Sequence, residues 1–138
     1  MTFTPVKKRQ KTAASQTGES EYNISQLPPE ALGLMANFFK VLSEVSRLQI
    51  VCSLKTGAKN VTEIIEATGL GQANVSKHLK MLTQAGVVAR EQRGVCVYYQ
   101  IANPFLFNLC DLVCEALFAQ VEQQSQQLQQ LSALRQNL

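Results

Sequence analysis

From Leu32 onward the apolar residues fall into helical spacing: Leu32, Met35, Ala36, Phe39, Val41 and Leu42 give one apolar side to a helix whose start is punctuated by Pro28 and Pro29. Ser43 to Ser46 interrupt it. A second helix is predicted from about Ser46, with Leu48, Val51, Cys52 and Leu54 on its inner side and Gly57 as its stop. Asn60, Val61 and Thr62 lead into a short helix through Thr68, where Ile64, Ile65 and Ala67 are the candidates for burial and Gly69 ends the helix. After Gly69-Leu70-Gly71 a longer helix runs from about Gln72 to Gln84, burying Val75, Leu79 and Leu82 at i, i+4 and i+7. Two helices joined by so tight a turn form a helix-turn-helix pattern.

The period changes at Val87. Val87 and Val88 open one extended run, Glu91 to Gly94 supply a turn, and Val95 to Ile101 form a second run. In that run Val95, Val97, Tyr99 and Ile101 alternate with Cys96, Tyr98 and Gln100, so one side is apolar. Asn103 and Pro104 have the character of an N-cap and a first-turn proline for a last helix. Its apolar stripe runs through Leu106, Leu109, Leu112, Val113, Ala116, Leu117 and Val121, and Leu128, Leu131 and Leu134 prolong it through Gln-rich sequence.

These elements predict a mainly α fold with a small β-hairpin, a winged helix-turn-helix with helices at both ends forming a dimer interface. Residues 1–26 carry almost no spaced apolar residues and read as a disordered basic arm with Lys7, Lys8, Arg9 and Lys11. Residues 27–121 form the domain, and 122–138 a Gln/Leu-rich helical extension. With 138 residues and 46% hydrophobic content, the chain has material for one core. The net charge of +3 permits a nucleic-acid partner without demanding one. Four unevenly spaced cysteines and the lack of an apolar leader point to the cytoplasm. The most apolar helical stretch, Phe105 to Phe118, is interrupted by Asn108, Asp111 and Glu115, so no membrane partner is expected.

The segments FKVLSEVSRLQIVCSL at 39–54, VTEIIEATGLGQANVSKHLKMLTQAGVV at 61–88 and AREQRGVCVYYQI at 89–101 resemble the ArsR/SmtB-type (arsenic-repressor-type) family of winged helix-turn-helix transcriptional regulators. With the last helix as far as Val121, the resemblance covers more than half of the chain. It implies a homodimer, paired through the first and last helices, that binds double-stranded operator DNA. One departure is Gly71, where relatives usually place a serine cap.

The helix from Gln72 presents Gln72, Asn74, Ser76, Lys77 and His78 early, mostly on the side opposite Val75 and Leu79. Gln and Asn can bond adenine edges in pairs, while Ser and Lys can hold phosphate or a guanine edge. Within the resemblance the histidine of SKHL belongs to the DNA-binding unit. Arg90 and Arg93 flank Glu91 and Gln92 at the hairpin tip and are candidates for a backbone or minor-groove contact. For both groups the bland alternative is an ordinary solvated polar face.

His78 is the only histidine, so the acidic and His ligands that zinc-sensing relatives carry on the last helix have no counterpart. The arsenic-repressor cysteine pair is also missing, with Asn60, Val61 and Thr62 in its place. The remaining sensor candidates are Cys52 on the second helix and Cys110 and Cys114, one turn apart on the last. Some relatives carry a cysteine matching Cys52 and another on the last helix, about a turn later than Cys114, and their thiol chemistry changes DNA affinity. Simple packing is the alternative for Cys52, and more so for Cys96.

The leading expectation is a DNA-binding transcriptional repressor modulated by thiol chemistry, redox or reactive sulfur. The alternatives are release by a soft thiophilic ion such as arsenite at the same cysteines, or a protein-interaction module using the Leu/Gln tail. No nucleophile-base pair, phosphate loop or catalytic carboxylate pair can be assembled, so an enzyme is not expected.

Overall fold

In the computed structural model, which describes residues 23–137, the order of elements is α1 (Pro29–Leu42), α2 (Val45–Ser53), α3 (Val61–Thr68), α4 (Gln72–Gln84), β1 (Val88–Arg93), β2 (Cys96–Ile101) and α5 (Phe105–Gln136). This is the mainly α, winged helix-turn-helix arrangement that the pattern implies. The arm expected at residues 1–26 falls outside the described residues except for its end, where Asn23 caps a single 3-10 turn, Ile24–Gln26.

Local chemistry sets the helix limits. Asn60 accepts the Glu63 N–H at 2.9 Å and starts α3. Gly69, at φ 72°, ends it in the left-handed region that side chains with a Cβ disfavour. Helix α2 begins one residue earlier than its apolar pattern suggests, because the Glu44 carboxylate accepts the Arg47 N–H at 2.9 Å and acts as its cap. Gly71 caps α4 without a side-chain hydrogen bond, as its lack of a side chain requires.

Helices α2, α3 and α4 meet one another around a core of Ile50, Val51, Leu54, Ile64, Val75, Leu79 and Leu82, closed by Val87 and Val88. Each fully buried side chain of this size contributes about 1.5–3 kcal/mol relative to exposure. Two residues expected on the inner side of α2 are not there: Cys52 is exposed and Leu48 is 39% exposed. In a helix only nine residues long, the stripe of Ile50, Val51 and Leu54 rotates both out of the core. Ala67 on α3 is likewise exposed.

The hairpin pairs Val88 with Ile101 through Arg93 with Cys96, leaving Gly94 and Val95 as a two-residue turn. The strand therefore continues through Glu91 to Arg93, where the pattern suggested a turn. Gly94 has φ 63°, the first position of a tight hairpin turn that needs glycine. Val95 at the turn is fully exposed, while Val97, Tyr99 and Ile101 are half-buried. Lys59 and Tyr99 exchange backbone hydrogen bonds at 3.0 and 2.8 Å, which ties the ribbon to the connection before α3.

The chain divides between Asn103 and Pro104 into two units, the second of which is built from α5. This helix starts at Phe105, with Pro104 at the cap position, and runs unbroken for 32 residues across Val121 and the Gln-rich segment. At 1.5 Å per residue it is about 48 Å long. Leu112, Leu117, Phe118, Val121, Leu128, Leu131 and Leu134 are each more than half exposed. Among the described residues no helix is long and apolar enough to cross a membrane.

Candidate nucleic-acid interface

The α4 residues that face inward are Val75, His78, Leu79 and Leu82, the i, i+3, i+4, i+7 stripe of an amphipathic helix. Gln72, Asn74, Ser76 and Lys77 are all exposed. So is Lys80, which pattern reading passed over although it lies one turn beyond Ser76 and Lys77. The helix carries no carboxylate, and its first turn has no side-chain cap. Its free N–H groups and two lysines therefore give the exposed face a positive potential suited to phosphate. Gln72 and Asn74, in the first turn, are the side chains with the paired donor and acceptor that reading a base edge requires.

His78 does not belong to that face. It is 7% exposed, with Nε2 3.7 Å from Oε2 of Glu44 and Nδ1 3.5 Å from a terminal nitrogen of Arg47. The helical period could have found this, since 78 completes the stripe of 75, 79 and 82. The polar nature of histidine argued the other way, and the charged pair on α2 is what makes its burial affordable. The carboxyl of Glu44 is held below the usual carboxylate range, mainly by the Arg47 N–H donated to it, against the opposing effect of partial burial.

In the ribbon, Arg90 and Arg93 are both exposed but three positions apart on one strand, so they point to opposite faces. The wing does not bring them together. Arg93 shares its face with Glu91 and Tyr98: the guanidinium lies 4.9 Å from the Tyr98 ring centroid and 3.2 Å from Oε2 of Glu91. Arg90 stands on the other face, opposite Tyr99.

Cys52, Cys96 and Cys114 are exposed and Cys110 is partly so. Cys52 lies on α2 in the first unit, and Cys110 and Cys114 lie one turn apart on α5 in the second. Among the described residues no group of three or more His, Cys, Asp or Glu side chains is placed to hold a metal ion.

Residues 44–90, from the cap of α2 to the start of the ribbon, match the sequence model of bacterial regulatory proteins of the arsR family. The chain is 34% identical over 82 residues to the HTH-type transcriptional repressor SmtB of Mycobacterium tuberculosis, an alignment that takes in 59% of this chain and 61% of that protein. It thus spans about three fifths of that relative's length. With the HTH-type transcriptional regulator NmtR of the same organism it shares 31% identity over 85 residues, 62% of this chain and 71% of that one. Among solved structures, the homodimeric winged helix-turn-helix DNA-binding domain of Mb0332 from Mycobacterium bovis, described as a possible ArsR-family regulator, superposes with a TM-score of 0.62. The identity is 30%, and the match covers 73% of this chain and 95% of that fragment.

Proposed function

Because the chain belongs to the ArsR family of bacterial regulatory proteins, we propose that it is a cytoplasmic transcriptional repressor that binds double-stranded operator DNA as a homodimer, with α4 as the recognition helix. The observation that carries this reading is the exposed, carboxylate-free face of α4, with Gln72 and Asn74 at its uncapped start and Ser76, Lys77 and Lys80 behind them. Gln72 and Asn74 read base edges, and Ser76, Lys77, Arg90 and Arg93 hold backbone or groove. The relative SmtB is itself named a repressor. Fluorescence anisotropy of the full chain on duplexes from its own promoter region tests the assignment. Preference for one of those duplexes over random DNA is expected, and equal affinity for all of them would refute it.

Dimerisation is supported by two uncovered apolar faces. Leu32, Leu34, Met35 and Phe39 of α1 are between 36% and 49% exposed. On α5, Cys114, Leu117, Val121, Gln124, Leu128 and Leu131 alternate at spacings of three and four, the seam of a helix that packs against another helix. The solved relative Mb0332 is described as homodimeric. Light scattering at micromolar concentration is expected to give twice the chain mass.

Cys52, Cys110 and Cys114 are the residues through which thiol chemistry would alter operator affinity. The support for Cys52 is accessibility, since an exposed thiol can meet an oxidant or a reactive sulfur species, and for Cys110 and Cys114 it is their placement one turn apart on α5. Cys52→Ser, Cys110→Ser, Cys114→Ser and Cys96→Ser variants, assayed on operator with diamide, polysulfide and arsenite, separate the possibilities. Loss of the response in the Cys52 and Cys114 variants, with Cys96→Ser still responsive, is expected. Release from DNA like the wild type in every variant would take these cysteines out of the response.

A further inference from the structure

One polar cluster, gathered around the buried ring of His78, takes no part in the interface described above. Glu44 and Arg47 stand at the start of α2, and His78 of α4 lies between them, 3.7 Å from the carboxylate and 3.5 Å from the guanidinium. The same guanidinium continues in two directions: its Nε donates to the Val41 carbonyl in the last turn of α1, and the terminal nitrogen that faces His78 also lies 3.6 Å from the Met81 sulfur of α4. One side chain rooted on α2 therefore touches both the end of α1 and the inner side of α4.

We propose that Glu44, Arg47 and His78 are positioning residues that set the seat of α4 against α1 and α2, and so decide how selectively the exposed face of α4 reads DNA. The proposal rests on the repressor reading given above. Its physical basis is the inventory of donors. A guanidinium has donors only, so Arg47 is attracted to Nδ1 of His78 only when that nitrogen is unprotonated and the ring proton is on Nε2, facing Glu44. A proton added at Nδ1 removes the acceptor and places a second positive charge 3.5 Å from Arg47, while strengthening the attraction to Glu44 at 3.7 Å. The cluster then exchanges one partner for the other, and α4 shifts its seat.

The charged groups facing the ring from α2 are Glu44 and Arg47; from α1 the Val41 carbonyl accepts from Arg47, and the Leu42 carbonyl accepts the Glu44 N–H at 2.9 Å. Lys77 and Lys80 of α4 itself are exposed on the opposite side. Reading a base edge tolerates displacements of only about 0.5 Å, whereas phosphate attraction tolerates more. Re-seating therefore acts on preference for operator over random DNA more than on affinity as such.

His78 is the chain's only histidine, which makes the test clean. Operator and random-duplex affinities of the full chain are measured across a pH series for the wild type and His78→Asn. The Asn amide oxygen can take the acceptor role of Nδ1 and does not titrate. The wild type is expected to lose about tenfold in operator preference toward acid, within the usual range of a coupling between sites, while His78→Asn stays flat at the alkaline value. An unchanged pH profile in His78→Asn would overturn the proposal. The ring nitrogen chemical shifts of the wild type without DNA provide a second arm that does not depend on the variant folding: a proton on Nε2 at alkaline pH is expected, and one on Nδ1 overturns the cluster chemistry. Absence of any operator preference at any pH would instead defeat the repressor reading, with the nitrogen shifts still deciding the cluster.

Discussion

Replacing Arg93 by alanine isolates the contribution of the wing. The side chain is 49% exposed, its guanidinium 3.2 Å from Glu91 and 4.9 Å from the Tyr98 ring centroid, so it is steered by two neighbours yet open to a phosphate. Its loss removes a cation-π contact worth about 0.5–1 kcal/mol at an exposed site and a surface ion pair worth about 0–1 kcal/mol, which leaves the fold intact. In a dimer with two wings, one phosphate contact is lost per wing. At about 0.9 per phosphate, the slope of log affinity against log salt falls by about 1.8. Over a fourfold rise in salt that slope corresponds to about 12-fold, so the wild type should weaken about 12-fold more than the variant between about 50 and 200 mM salt. Anisotropy titrations on operator and random duplexes across that range measure it. Both duplexes should respond alike, and Glu91→Gln, which removes a carboxylate beside the guanidinium, should tighten both. An unchanged slope in Arg93→Ala, or a loss confined to operator, would refute a phosphate role.

Gln72→Ala or Asn74→Ala should lower operator affinity by about 1–3 kcal/mol with little change on random DNA, since a paired base contact is lost; equal losses on both duplexes would take base reading away from them. Asn60→Ala should lower the urea-unfolding free energy by about 1 kcal/mol through loss of the α3 cap. Glu44 has a carboxyl pKa depressed in the folded chain, mainly by the Arg47 N–H. Its stabilising contribution is therefore complete above its unfolded pKa and is lost as pH falls through the folded value. Urea melts of Glu44→Gln should accordingly show a deficit at neutral pH that closes in acid, and a deficit independent of pH would contradict the cap.

The helix-turn-helix was legible because each of its limits is local chemistry. Asn60 and Gly69 bracket α3, glycine precedes α4, and the spacing of Val75, Leu79 and Leu82 fixes which side of α4 turns inward. The same period contained the burial of His78, but polarity masked it, and only Glu44 and Arg47, more than thirty positions away in the chain, make that burial tolerable. Cys52 was misplaced because a nine-residue helix offers too few turns to define its inner stripe, and Cys52 sits beside the buried Val51 rather than one turn from it. The ribbon's alternation was visible, yet the divergence of Arg90 and Arg93 emerged only once the turn was located at Gly94 and Val95. The Lys59 to Tyr99 backbone pair has no side-chain signature and could not be read from the sequence.

The central claim, that two copies of α4 read one symmetric site, is tested most directly by selecting duplexes from a randomised pool with the full chain and weighing the complexes formed. Two chains per duplex are expected, on an inverted repeat whose half-sites are centred about one helical turn apart, 10–10.5 base pairs, or a multiple of it. Failure to enrich any sequence, or a single chain bound to a lone half-site, would contradict it.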